Sequence, residues 1–208
     1  MAKILPEKLE LVKGLYDNGK SAQDVALKLK VPLGAVYYFL RRYKIARRNS
    51  KENNALRFKN KQASFSIKDN LSKGENELFV AGVMLYWGEG SKWSGEKIID
   101  FANSDEVMIE IFLKFLRNIC RVDEKKFRVY LYCYENQDCD KLMAHWSKFT
   151  NIPLRQFTKP YVRQDYRLSK IDKMKHGLVH IRYYDKKLLD LMREWIKDFP
   201  LKFKNMGR

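Results

Sequence analysis

Between Leu78 and Trp87 the chain reads LFVAGVMLYW, ten apolar or small residues without a charge. A helix of this composition has no polar face, so it must be covered all round. It is also far short of the ~18–20 apolar residues that span a bilayer. The cover therefore has to be protein: the chain's own sheet on one side, a second helix on the other. Ala81, Gly82, Leu85 and Gly88 fall at helical spacing and mark the side where another helix would approach, with Ala81, Gly82 and Leu85 as the expected dimer interface. Gly88-Glu89-Gly90 follows, a single carboxylate between glycines, the second of which lets the chain turn sharply into a strand. A carboxylate there, close to a symmetry mate's, suits Mg²⁺ or another divalent cation.

Charge narrows the partner. The 208 residues carry a net +17, an excess that favours polyanions, either nucleic acid or an acidic membrane. No uninterrupted apolar run reaches membrane-spanning length, and MAKILPEKLE lacks the apolar stretch of a signal peptide. Nucleic acid is the expected partner, with no membrane, and the expected location is the cytoplasm, in association with the nucleoid. Cys120, Cys133 and Cys139 are odd in number and have neither CxxC nor zinc spacing, so free thiols in a reducing cytosol are expected. His145, His176 and His180 are too few and too scattered to complete a zinc site with them.

The charge is uneven. Residues 1–68 hold 16 Lys/Arg against 5 Asp/Glu, or +11, and residues 69–208 hold 26 against 20, or +6. Two modules are implied. In 1–45, apolar residues at 9, 11, 12, 15 and 16 predict a first helix. Ser21-Ala-Gln-Asp24 resembles a capping box opening a second helix over 22–30, and Val31-Pro32 turns into a third that ends near Tyr43. Val25, Leu29, Val31, Val36 and Phe39 take the apolar positions of a helix-turn-helix, with Lys30 where the turn glycine usually stands. The recognition helix then shows Tyr37, Tyr38, Arg41 and Arg42 to DNA; few of its outward residues make bidentate base contacts, so base readout is modest. Residues 46–75 are polar and basic and read as a linker with at most one short helix. Arg47 and Arg48 are its first expected phosphate contacts.

From residue 76 to 200 the predicted order is α-β-β-α-β-α-β-β-α. In the strand 127–134, Arg128, Tyr130, Tyr132 and Tyr134 alternate with apolar residues, and in 178–184 His180, Arg182 and Tyr184 do the same. One apolar face covered by helices and one Arg/Tyr face left open suit a nucleic-acid surface. Tyrosines on an open face are also simply good strand formers.

GVMLYWGEGS, a hairpin, and IIDFANSDEVMIEIFLKFL together resemble the core of the LAGLIDADG homing endonucleases over roughly residues 77–198, with 138–150 as an inserted helix. The resemblance implies an α+β fold: an αββαββα unit behind the helix-turn-helix module, paired through the motif helix into a homodimer, with two sheets forming a saddle over double-stranded DNA. It implies that Glu89 binds the catalytic Mg²⁺ or a related cation, and that phosphodiester bonds are hydrolysed. Glu stands where Asp is commoner, and Tyr86 and Trp87 are bulky near the tight end. The catalytic lysine has no clear motif: Lys175 is the first choice, Lys92 and Lys159 are others. Lys92, Lys159 and Arg163 complete the expected DNA contacts. A regulator on the same fold that does not cleave is the alternative. An RNA-binding factor using the Arg/Tyr face for stacking is a third, disfavoured by the helix-turn-helix.

Overall fold

Ser21 opens the local logic of the first unit. In this computed structural model, which describes residues 4–164 and 174–204, the Ser21 hydroxyl accepts from the Asp24 backbone N–H at 3.1 Å. The Asp24 carboxylate accepts from the Ser21 N–H at 2.8 Å. That reciprocal pair starts α2 (Ala22–Leu29), behind α1 (Leu9–Asp17) and ahead of α3 (Leu33–Arg42). Val12, Tyr16, Val25, Ala26, Val36, Phe39 and Leu40 close a small core between the three helices. Lys30 adopts φ +54°, the left-handed conformation a glycine would take without strain.

The stretch read as a basic linker is more ordered than its composition suggests. Asn49 and Glu52 form a second reciprocal capping box and start α4 (Ser50–Asn60), a helix with no buried residue. Its far end comes close to the α1–α2 turn, where a Cβ at Gly19 would lie 2.9 Å from the Asn60 amide. The chain then divides into two compact units, Met1–Gln62 and Ala63–Arg208. In the second, residues 64–71 are not spacer. Ser66 and Lys68 donate backbone hydrogen bonds to the carbonyls of Cys120 and Ile119, and Phe65, Ile67 and Leu71 pack on the core. These three apolar side chains and the backbone bonds together anchor a segment that is otherwise polar.

A third capping box, Ser72 with Glu75, starts α5 (Lys73–Glu89). The sheet has β1 (Ile99–Asn103), β2 (Phe127–Tyr134), β3 (Tyr161–Arg163) and β4 (Leu178–Tyr183) in the order β1-β4-β2-β3. β4 is antiparallel to both neighbours. β2 and β3 are parallel, because α7 (Cys139–Thr150) crosses between them. The expected extended piece at 90–93 is reduced to a bridge between Gly90 and Phe101. α6 (Glu106–Lys114) runs on into a π-helical turn at Phe115–Ile119, and α8 (Lys186–Asp198) closes the layer. The fold among the described residues is thus α+β, with eight α-helices and a mixed four-stranded sheet. None of these helices is long and apolar enough to cross a membrane.

The sheet's two faces differ as alternation requires. Phe127, Val129, Leu131, Val179, Ile181, Ile99 and Phe101 are buried with Phe112, Phe115, Trp146 and Met192 of the helices. At roughly 25 cal/mol per Å² of apolar area this cluster is the main stabilising term of the unit. α8 is fixed at its start by buried Asp185, which accepts from the N–H groups of Lys187 (2.9 Å) and Ser64 (2.9 Å) and from the Ser64 hydroxyl (2.6 Å).

Two sequence expectations change here. Gly82 does not face outward: a Cβ there would lie 2.1 Å from the Phe115 ring, so its lack of a side chain lets α5 close onto its own core. Leu85 likewise packs partly on that core, leaving Ala81 of the three residues nearer the open side. Cys133 and Cys139 are not free thiols but a disulfide, Cα atoms 6.4 Å apart, joining the end of β2 to the start of α7. The tight turn between them, held by Tyr134 N–H donating to Gln137 Oε1, brings together residues whose spacing matched no familiar pattern. Cys120 is free, and burial pushes its thiol far up.

Candidate functional site

The last turn of α5 presents Glu89 to solvent, directly before the strand-entry glycine. Gly90 is required there by close approach, since a Cβ would sit 2.4 Å from the Tyr86 ring and 2.5 Å from the Tyr86 carbonyl. Tyr86 is buried, donates its hydroxyl to the Ser91 carbonyl at 3.3 Å, and has its phenol raised to about 12 by that burial. The turn after Glu89 is therefore fixed from beneath. Lys92 Nζ donates to the Gly88 carbonyl at 3.3 Å, placing an ammonium at the same helix end. Lys175 lies in the turn 174–176, whose carbonyls are held elsewhere. Gln137 Nε2 donates to Met174 O (2.8 Å) and Lys175 O (3.3 Å), and Trp146 Nε1 donates to His176 O (2.7 Å). Of the candidate lysines, Lys92 has a contact to the Glu89 end of α5; Lys159 stands exposed before β3.

One side of α5 is exposed among the described residues of the second unit. Val80 and Trp87 are exposed, Met84 is partly so, and a Cβ on Gly88 would meet nothing within 4 Å. These positions follow the i, i+4, i+7, i+8 spacing of one helix face. The opposite side carries buried Gly82, Val83 and Tyr86.

The sheet face away from the core brings together Tyr130, Tyr132, His180 and Arg182, as alternation implied, and adds Asp100 and Tyr161. Asp100 on β1 lies opposite Arg182 on β4. His180 Nδ1 and Arg182 Nε each donate to its carboxylate at 2.8 Å. Burial disfavours the charge, but His180 and Arg182 outweigh it and hold the carboxyl below its usual range. Tyr132 sits between Tyr130 (5.0 Å between rings), Tyr161 (5.2 Å) and His180 (4.9 Å). The Arg182 guanidinium lies 4.7 Å over the Tyr130 ring. Arg128 is turned to the strand start, donating to the carbonyls of Lys125 (2.9 Å) and Phe127 (2.6 Å). Arg163 lies on β3 opposite Tyr134. His180 and Arg182 are thus partly spent on Asp100 and Arg128 on backbone, a cost the alternation pattern does not reveal.

In the first unit Tyr38, Arg41 and Arg42 are exposed on α3, with Arg41 over the Tyr38 ring at 5.8 Å. Arg47 is exposed and stacks at 4.2 Å over half-buried Tyr37. Arg48 departs from the expected role. Its guanidinium covers Tyr16 at 3.9 Å and donates to the Lys20 carbonyl, and its backbone N–H donates to the Tyr16 hydroxyl at 2.9 Å. It fastens the approach to α4 instead of projecting.

The spacing of His145, His176 and His180 predicts no zinc site with the cysteines, but two of them meet an acid instead. Among the described residues, Glu106, His145 and His176 bring three potential ligand atoms within 4.8 Å of one another. Sequence separations of 39 and 31 hid this, because the helix crossover and the turn before β4 bring them together. The partial signal was Glu106 itself, an acid in the first turn of a helix beside a known cap.

No protein-family model, curated protein or solved structure matches this chain.

Proposed function

We propose that this chain is a homodimeric protein of LAGLIDADG type that binds double-stranded DNA and hydrolyses a phosphodiester bond. The observation that carries the proposal is the state of α5: closed onto its own core along Gly82, Val83 and Tyr86, exposed at Val80, Trp87 and Gly88, and ending in an exposed carboxylate. An apolar helix face left open is stabilised by a second copy of itself, and pairing there brings two Glu89 carboxylates together. Glu89 alone is a poor cage for Mg²⁺, which takes about six oxygens. Two carboxylates with water and phosphate oxygens fit that donor set. When bound, the ion would generate the nucleophilic water and neutralise charge on the leaving oxygen. Lys92, whose ammonium donates to the Gly88 carbonyl at the same helix end, would meet a phosphate oxygen. Water adds its hydroxyl to phosphorus, the phosphorus–oxygen bond to the leaving sugar breaks, and a proton goes to that oxygen.

The experiment is nicking of a random-site DNA library with Mg²⁺, run beside a binding selection without it. Glu89→Gln keeps size and removes charge. Cleavage should fall by several orders of magnitude while binding survives or tightens, because a negative group near phosphates is gone. Undiminished nicking by this variant refutes the assignment. Affinity of the full chain should fall with salt at a log–log slope near −5 to −9, for about 6–10 neutralised phosphates.

A regulator that binds without cleaving is the second reading, favoured by the three-helix first unit with Tyr38, Arg41 and Arg42 exposed on α3. Tight binding at a selected site with no nicking by the wild type selects it.

A further inference from the structure

We propose that Glu106, His145 and His176 form a binding site for a transition-metal ion of the Zn²⁺ class, with three protein ligands and a fourth position open to water. The three come from separate parts of the second unit. Glu106 is the first residue of α6, His145 lies midway along α7, and His176 is in the turn before β4. His145 Nε2 and His176 Nδ1 both meet the same oxygen, Glu106 Oε1, at 2.7 and 2.5 Å. The imidazole centroids are 4.0 Å apart. Two rings converging on one carboxylate make a compact set of potential ligand atoms, and a cation among the three would draw on all of them.

The dimensions agree with an ion of this size. Bonds of about 2.1 Å at tetrahedral angles place ligand atoms roughly 3.4 Å apart. The two nitrogen–oxygen separations need to open by under ~1 Å, which side-chain rotation supplies. The same nitrogens become ligands once each ring carries its proton on the other nitrogen. Two imidazoles and one carboxylate select Zn²⁺, Co²⁺ or Ni²⁺ over Mg²⁺, which prefers oxygen alone. Each side chain is about one-third exposed, so a fourth position faces solvent.

The support beneath the ligands is built. Trp146, next to His145, is fully buried, and its indole N–H donates to the His176 carbonyl at 2.7 Å. One anchor thereby ties the element carrying one histidine to the backbone carrying the other. Gln137 holds the two preceding carbonyls of the turn. Gly177 follows at φ +71°, and a Cβ there would lie 2.7 Å from the Tyr132 carbonyl, so the turn sits tight against β2. These bonds hold the backbone that carries the ligands, so the spacing of the three side chains is set by the fold. The site joins α6, α7 and the turn before β4, and it uses none of the residues proposed to contact DNA, nor Glu89.

The test uses the full chain, stripped with chelator and exchanged into chelator-free buffer. Zn²⁺ is titrated against a chromophoric competitor, and Co²⁺ is followed by visible absorption. The wild type should take one Zn²⁺ per chain. With Co²⁺ it should give an intense d–d band without a thiolate charge-transfer band. His145→Ala and His176→Ala should each weaken Zn²⁺ by at least ~100-fold, and Glu106→Gln by about 10–100-fold. The Cys133→Ser/Cys139→Ser and His180→Ala variants should bind as the wild type does. Should His145→Ala fail to fold, the Co²⁺ spectrum of the wild type decides. Binding that persists in the His145→Ala/His176→Ala double variant, binding that follows the cysteines, or a thiolate band with Co²⁺ overturns the proposal. Any of these leaves the Glu89 reading untouched, since that site requires oxygen donors and is measured by nicking.

Discussion

Two carboxylates in the second unit each meet two basic groups, and they do so in opposite ways. Asp100 receives His180 on one oxygen and Arg182 on the other, and its side chain is only 13% exposed. Glu106 receives His145 and His176 on one oxygen, and its side chain is 33% exposed. The first arrangement is saturated, and one partner is a guanidinium, which has no lone pair to offer a metal. The second is convergent, made wholly of groups that can ligate, and open on one side. Similar charges thus give a structural clamp across two strands in one place and a convergent cluster of potential ligands in the other.

That contrast breaks first at Asp100→Ala. The change leaves Arg182 and His180 without a counter-charge on a half-buried face, so the second unit should lose about 3 kcal/mol, the lower end for stranding one partner of a buried pair. Denaturant unfolding measures it, and a loss below ~1 kcal/mol would place Asp100 in the same class as an exposed acid. The pH dependence sharpens the point. The folded-state pKa of Asp100 is depressed, so its contribution is fully present above the unfolded value of about 3.9 and drains away as pH falls through the folded value. The stability gap between wild type and Asp100→Asn should therefore shrink as pH drops below about 4. A gap that grows on acidification would reverse the assignment. The smallest effect is expected for Glu106→Ala in metal-free protein, within about 1 kcal/mol, as for solvent-screened pairs. With Zn²⁺ present, the midpoint of thermal unfolding should rise in the wild type and stay put in this variant.

The sequence carried the elements well and the constellations poorly. β2 at 127–134 follows from alternation, a local signal. The open face of Tyr130, Tyr132, His180 and Arg182 was legible for the same reason. Asp100 was not, because its relation to His180 is a matter of strand register, set 80 residues away. Glu106, His145 and His176 were missed for a related reason: a crossover helix and a turn bring them together, and neither leaves a spacing pattern. The Cys133–Cys139 pairing depended on a turn geometry that composition does not encode. Gly82 was recognised as a site of close approach but given the wrong neighbour. A helix apolar all round offers no amphipathic cue to say which side is inward.

Gly82 has a consequence for how this chain tolerates change. The Phe115 ring leaves no room for even a methyl group at that position, whereas Gly88, six residues along the same helix, has open space around it. A saturation scan along α5 should therefore be lopsided, with position 82 refusing replacement because of the chain's own core and position 88 limited only by the proposed partner helix. The orientation of a uniformly apolar helix would then be read from its pattern of permitted substitutions, where hydropathy is silent.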